Sequence, residues 1–220
     1  QTMAENVMYT DHVVYHHDTK FQRLVVTRRD LGPGGQQFLT FHINGRVQFA
    51  SNDEKIYHSM LVFPAMMASA RHDDVLIIGG GDGLALRDVL SWGPKNVLLL
   101  DLDPELVEFF KHENEIGDNR AFIKMNRGAF SDPRVETKFG DAWLSVDGLI
   151  AQGKRFDTII VDLPDPSHPD LNKLYSTVFY NKLRNILAGD GVMVVQSTSP
   201  YHARRTFLSI GRTVEAAGFE

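Results

Sequence analysis

The sequence predicts an α/β protein: a mostly parallel, Rossmann-like sheet preceded by a small N-terminal antiparallel β module. Three observations carry that expectation. From Asp74 onward, short runs that are apolar throughout, such as Val75-Leu76-Ile77-Ile78 and Val97-Leu98-Leu99-Leu100, alternate with amphipathic stretches. This is the pattern of strands buried on both faces with helices between them. The first such strand runs straight into Gly79-Gly80-Gly81-Asp82-Gly83, a strand-to-helix turn that lets a ligand approach the backbone closely. Before Asp53, alternating runs flank Asn44-Gly45, a pair suited to the positive φ of a tight hairpin.

In chain order, residues 1–52 form the β module, with strands expected at 24–27, 38–43 and 46–49 and a turn at Gly32-Pro33-Gly34-Gly35. Asp53, with Glu54 behind it, is expected to cap a helix over 55–70, kinked at Pro64. Residues 53–220 then form the Rossmann-like catalytic domain. Its strands are expected at 75–78, 97–100, 135–139, 158–161 and 192–196, with helices near 84–91, 105–114, 142–151, 174–187 and 202–217. The chain stops where a helix has just ended and such a fold continues with a strand, so the domain is expected to be truncated at its C-terminal end.

Composition narrows the function. With 43% hydrophobic and 23% charged residues, the chain has a real core, which excludes disorder and coiled coil. A net charge of -5 argues against nucleic acid as a partner and favours a cationic small molecule. The absence of cysteine excludes disulfides, thiolate metal sites and a cysteine nucleophile, and it fits a cytoplasmic setting. No apolar run approaches a membrane span, and the polar start Gln1-Thr2-Met3-Ala4-Glu5-Asn6 is unlike a signal peptide. The expectation is a soluble domain.

Four positions carry chemistry. The glycine turn, Gly79 to Gly83, faces a nucleoside or nucleotide, and Asp82 at its mouth repels pyrophosphate and attracts a cation. Asp101, about 20 residues on at the next strand end, is placed to accept from ribose hydroxyls, while Asp103 before Pro104 is the cap of the following helix. Asp141, in Gly140-Asp141-Ala142, reaches an adenine amino group, with the Ala142 N–H toward a ring nitrogen; a lone Gly-Asp more often marks a turn and cap. Last, the strand ending Val161-Asp162-Leu163-Pro164-Asp165-Pro166 releases two aspartates into a proline-braced loop. Paired carboxylates need a metal or a cationic substrate beside them. Leu and Pro around them favour the substrate, and His168 keeps a metal as the alternative.

Together, Gly79-Gly80-Gly81-Asp82-Gly83, Asp101-Leu102-Asp103-Pro104, Gly140-Asp141-Ala142 and Asp162-Leu163-Pro164-Asp165-Pro166 resemble the spermidine synthase (polyamine aminopropyltransferase) family. Phe21-Gln22-Arg23, residues 39–48 and Asp53-Glu54-Lys55-Ile56-Tyr57-His58 extend the resemblance through nearly the whole chain. The aspartate loop followed by Lys173-Leu174-Tyr175-Ser176 is similar to the bacterial branch in which this domain is fused to a membrane segment. The resemblance implies that Gln22, Gly79, Gly80, Gly81, Asp101, Asp141, Ala142 and Pro169 surround the thioadenosine of the donor. It implies that His58, Asp82, Asp162 and Asp165 handle the amine, with Asp162 the proton acceptor and Asp165 its companion. It implies a homodimer, decarboxylated S-adenosylmethionine as co-substrate, no metal and no other cofactor. Three departures stand out: Leu84 in place of a second double glycine, Asp101 in place of a longer Glu, and Pro164 before the second loop aspartate.

The expected reaction moves the donor's aminopropyl group to a diamine such as putrescine, releasing methylthioadenosine. Asp82 also repels the carboxylate of ordinary S-adenosylmethionine. Two other readings share these residues. A class I methyltransferase has the same type of sheet and ribose carboxylate but leaves Asp82 and the Asp162/Asp165 pair idle. A non-catalytic polyamine- or nucleoside-binding domain needs their charge but no base. His16, His17 and His42 read as strand or surface residues, Arg204-Arg205 as a solvated helix face, and Trp92 and Trp143 as core or cover, with Trp143 a candidate for the adenine pocket.

Overall fold

The structure, a computed structural model, describes residues 9–30, 32, 37–113, 119–166 and 169–220, without the side chains of residues 169 and 170. Strands β1 (His12–Asp18), β2 (Arg23–Asp30), β3 (Gln37–Ile43) and β4 (Arg46–Ala50) form an antiparallel sheet in sequential order. Asn44 and Gly45 both adopt positive φ, 51° and 77°, as the hairpin signal requires. Strand β1 had no outline of its own in the sequence, because His16-His17 hides its alternation. It forms by pairing along β2, from His12 against Arg28 to Asp18 against Arg23. Pro33, Gly34 and Gly35 of the expected turn lie outside the described residues.

Helix α1 (Glu54–Ala68) runs through Pro64. Asp53 stands at its N-cap position but makes no side-chain capping bond, and Glu54 behind it turns inward instead. Then come β5 (Asp74–Gly79), α2 (Leu84–Leu90), β6 (Asn96–Asp101), α3 (Pro104–Lys111), α4 (Arg120–Asn126), β7 (Val135–Phe139), α5 (Ala142–Ala151), β8 (Phe156–Asp162), α6 (Pro169–Asn172), α7 (Thr177–Ile186), β9 (Leu187–Val195) and α8 (Arg204–Ala216). The five strands pair in parallel in the order β7-β6-β5-β8-β9.

Three elements differ from expectation. Helix α4 was not anticipated, since Phe122 is the one large apolar side chain that its seven residues bury, too little for a visible period. The expected helix over 174–187 divides into a 3-10 turn, Lys173–Tyr175, and α7, because the Ser176 hydroxyl accepts from Phe179 N at 3.2 Å and starts a new helix there. Strand β9 begins at Leu187, drawn into the sheet where Leu187 pairs with Phe156 ahead of a bulge.

The parallel strands alternate between two cores, as the period of two demands. Val75, Ile77, Val97, Leu99 and Ile160 face one side with α1 to α4, and Leu76, Ile78, Leu98, Leu100, Ile159 and Val161 face the other with α5, α7 and α8. Leu24, Val26, Leu39, Phe41 and Phe49 of the antiparallel sheet enter the first core. There Phe41 meets Phe110 edge-on at 5.0 Å, so the β module is packed against the α/β unit rather than tethered to it.

Candidate active site

Gly79 pairs with Asp162 across β5 and β8, and Ile78 pairs with Leu100 across β5 and β6, so three strand ends lie at one level. The sheet order reverses between β5 and β8, and ligands of open α/β sheets bind at such a switch point. A cleft of about 360 Å³ opens there, within the range of small-molecule sites. Every expected site residue with a described side chain or backbone turn lines it: Gln22, His58, Gly79, Gly80, Gly81, Asp82, Asp101, Asp141, Ala142, Asp162 and Asp165. Pro169 opens α6, and its side chain lies outside the described set, as does His168 altogether.

Glycine is required at two of these positions by close approach. A Cβ on Gly79 would stand 2.1 Å from the Asp162 carbonyl oxygen, at φ 83°, and one on Gly81 would stand 2.7 Å from Asp101 Oδ2. The turn therefore serves first to let β8 and Asp101 close against it. Leu84 is buried at 1% exposure in the first core, so this departure fills space behind the turn.

On one side of the cleft, Asp101 accepts from Asp103 N at 2.8 Å. Burial drives the Asp101 carboxyl up to about 7, against the pull of that bond. Asp103 caps α3 as expected, accepting from Glu105 N at 3.1 Å. It also accepts from Thr19 Oγ1 at 2.7 Å and Gln22 Nε2 at 2.8 Å. One cap thus anchors the β1–β2 turn and sets Gln22 at the cleft. Asp141 caps α5, accepting from Trp143 N at 2.8 Å, and takes the Lys173 ammonium at 2.5 Å. Burial opposes ionisation there, but Lys173 holds the carboxyl below its usual range.

On the other side, Tyr57 Oη donates to Asp162 Oδ1 at 2.6 Å. Its hydroxyl pKa is raised, by burial of that end first and by Asp162 second, although the residue as a whole is 39% exposed. Asp165 accepts from Gln196 Nε2 at 3.0 Å and Thr198 Oγ1 at 3.2 Å. Each aspartate therefore has its own donor set. The carboxylates that oppose one another are Asp82 and Asp162. Burial raises the Asp82 carboxyl, His58 lowers it, and Asp162 raises it further. Tyr175 Oη lies 3.1 Å from the carbonyl oxygens of both Leu163 and Pro164, bracing the loop that carries these aspartates.

A family model, the spermine/spermidine synthase domain, matches residues 54–220. The chain belongs to the spermine/spermidine synthase family. It is 53% identical to the polyamine aminopropyltransferase of Shewanella oneidensis over 98% of its own length and 38% of that relative. It is 40% identical to polyamine aminopropyltransferase 1 of Streptomyces coelicolor over 100% of its length and 39% of that relative. The chain thus spans about two fifths of the curated relatives it matches. Among solved structures, a spermidine synthase in complex with the transition-state analogue AdoDATO superposes with a TM-score of 0.79 at 28% identity, covering 93% of this chain and 64% of that one. The spermidine synthase of Thermotoga maritima gives 0.76 at 27% identity, with the same coverage.

Within the synthase family frame, Trp143 packs as the core or cover residue expected, away from the cleft for which it was also a candidate, and one expectation, at the start of α1, is corrected. Trp143 is absent from the cleft lining; it stacks on Phe179 at a centroid distance of 6.0 Å, with Lys182 Nζ 3.9 Å above its ring. Trp143 stands two residues past the Asp141 cap and packs against the second core. Glu54 is no accessory to a cap: it is 3% exposed and binds Arg87. Tyr57, Gln196 and Thr198 were missed because their partners lie far along the chain. For Glu54, the four-residue spacing to His58 was a usable signal, since such pairs share a helix face. No helix among the described residues is long and apolar enough to cross a membrane, and no cluster among them has the makings of a metal site.

Proposed function

We propose that the domain transfers the aminopropyl group of decarboxylated S-adenosylmethionine to a diamine, with putrescine the acceptor. The observation that carries this reading is the convergence of Asp82, Asp162 and Asp165 in one cleft with Asp101 and Asp141. The first three suit a dicationic acceptor and a cationic donor, and the last two suit a nucleoside. The names of the relatives and the analogue bound to the structural neighbour support it.

The amine nitrogen's lone pair attacks the carbon next to the sulfonium, the C–S bond breaks, and its electrons leave with methylthioadenosine. The proton lost from the attacking nitrogen passes to Asp162. An alkylammonium of pKa near ~10 costs roughly 4 kcal/mol to deprotonate at pH 7, so part of the barrier lies in presenting a neutral nucleophile in line. Alignment of amine, carbon and sulfur supplies the remaining acceleration. A methyltransferase would leave Asp82 without a task, because the carboxylate of ordinary S-adenosylmethionine would meet it.

Incubation with decarboxylated S-adenosylmethionine and a panel of amines, read by mass spectrometry, tests the proposal. Methylthioadenosine should appear with putrescine and should vanish in Asp162→Asn while donor binding persists. Methylated product from parallel wells holding ordinary S-adenosylmethionine, with silence in the others, would replace the reading with methyl transfer.

A further inference from the structure

His58 is 2% exposed, yet it lines the cleft. Its Nδ1 lies 2.8 Å from the Glu54 carbonyl oxygen, one helical turn back, and 3.4 Å from Glu54 Oε2. A carbonyl only accepts, so Nδ1 carries a hydrogen in either charge state and Nε2 is the nitrogen that titrates. Behind it, Glu54 is clamped by Arg87 at 2.9 and 3.2 Å, and Arg87 is held in turn by Asp88 at 2.8 Å and the Met125 carbonyl at 2.9 Å. These three residues span two helices and are buried, an arrangement that costs stability unless each charge is matched. Neither Glu54 nor Arg87 lines the cleft, so any part they take in the site passes through His58.

We propose that Glu54 and Arg87 are positioning residues that act through His58, keeping it as a resident cation beside Asp82 and Asp162 whose proton is displaced when an alkylammonium takes its place. This rests on the aminopropyl-transfer reading above. The groups facing His58 fit the role: Glu54 and Tyr57 from α1, Asp82 from the glycine turn, Asp162 from the end of β8, and the uncharged Phe49 ring from β4 at 6.3 Å. Burial opposes the charge on His58, but Glu54, Asp82 and Asp162 overcome it and hold the imidazolium up to about 9. Glu54 itself is held at about 2, its burial outweighed by His58 and Arg87. An ammonium arriving between Asp82 and Asp162 replaces their attraction for His58 with repulsion. The proton then leaves, and a neutral imidazole borders the amine that must itself become neutral.

The test is calorimetry of putrescine binding to the full-length protein, with methylthioadenosine present, in two buffers of different ionisation enthalpy between pH 7.5 and 8.5. A site that must lose a proton to bind gains about tenfold in apparent affinity per pH unit below its titration. Wild type should show that rise, with about one proton released per amine. In Glu54→Gln both should fade while affinity at pH 7.5 increases, a gain from deleting an acidic residue that a merely structural role would not produce. Glu54→Asp should restore both. Should Glu54→Gln not fold, His58→Asn decides: proton release that persists there comes from the amine and overturns the proposal, as does a flat pH profile in wild type. Failure to bind any amine or form methylthioadenosine would instead overturn the transfer reading, and the coupling with it.

Discussion

The Tyr57 hydroxyl fixes Asp162 in one orientation through a 2.6 Å bond. A hydrogen bond to a charged group contributes about 1.5–3 kcal/mol, so Tyr57→Phe should lower kcat by about 10- to 100-fold while leaving donor affinity unchanged. Equal losses for donor binding and turnover would show that Tyr57 supports the whole cleft instead. Asp101 supplies a pH dependence. Its carboxyl, raised to about 7 by burial, is protonated below that pH, and in the proposed role it would accept fully from ribose hydroxyls only above it. Binding of methylthioadenosine, a neutral probe, should therefore strengthen as pH rises through about 7. Asp101→Asn should bind it more weakly and with a flat profile, measured by calorimetry from pH 5.5 to 8.5. The aspartates were legible in the sequence because Asp101 and Asp162 end strands and Asp82, Asp141 and Asp165 follow strands within three residues. Tyr57 was hidden because its partner is 105 positions away.

At the scale of elements, the glycine turn and the end of β8 form one joint. Gly79→Ala forces a side chain into the left-handed region and against the Asp162 carbonyl, and strain with a clash of this kind costs about 2–4 kcal/mol. Gly93→Ala is the control, at φ 71° with open space around it, and should cost only about 1–2 kcal/mol. Urea unfolding of both variants separates strain from clash, and equal losses would mean that β5 and β8 adjust freely. Strands β5, β6 and β8 were visible because strands buried on both faces are largely apolar, whereas the edge strand β7, Val-Glu-Thr-Lys-Phe, is half exposed and departs from that pattern. Helix α4 and the early start of β9 were not, since one depends on a single buried ring and the other on pairing with Phe156.

For the molecule as a whole, the shared core makes the β module part of the cooperative unit. Phe41 is buried among Phe49, Phe109, Phe110 and Phe122, and truncating such a ring costs about 3–5 kcal/mol. Phe41→Ala should lower the midpoint of a single unfolding transition, with near- and far-UV signals coincident. A separate early transition of the β module would contradict this. The sequence by itself determined the fold class, the switch-point site and the identity of its aspartates, because burial pattern and strand-end chemistry are local and periodic. Only the tertiary structure decided which charges meet: that Asp82 and Asp162 repel one another across the cleft, that Asp103 ties Gln22 to the cleft, and that Glu54 and Arg87 stand behind His58. Those pairings join residues from different elements, and electrostatic energy depends on distances that close only when the sheet and helices have packed.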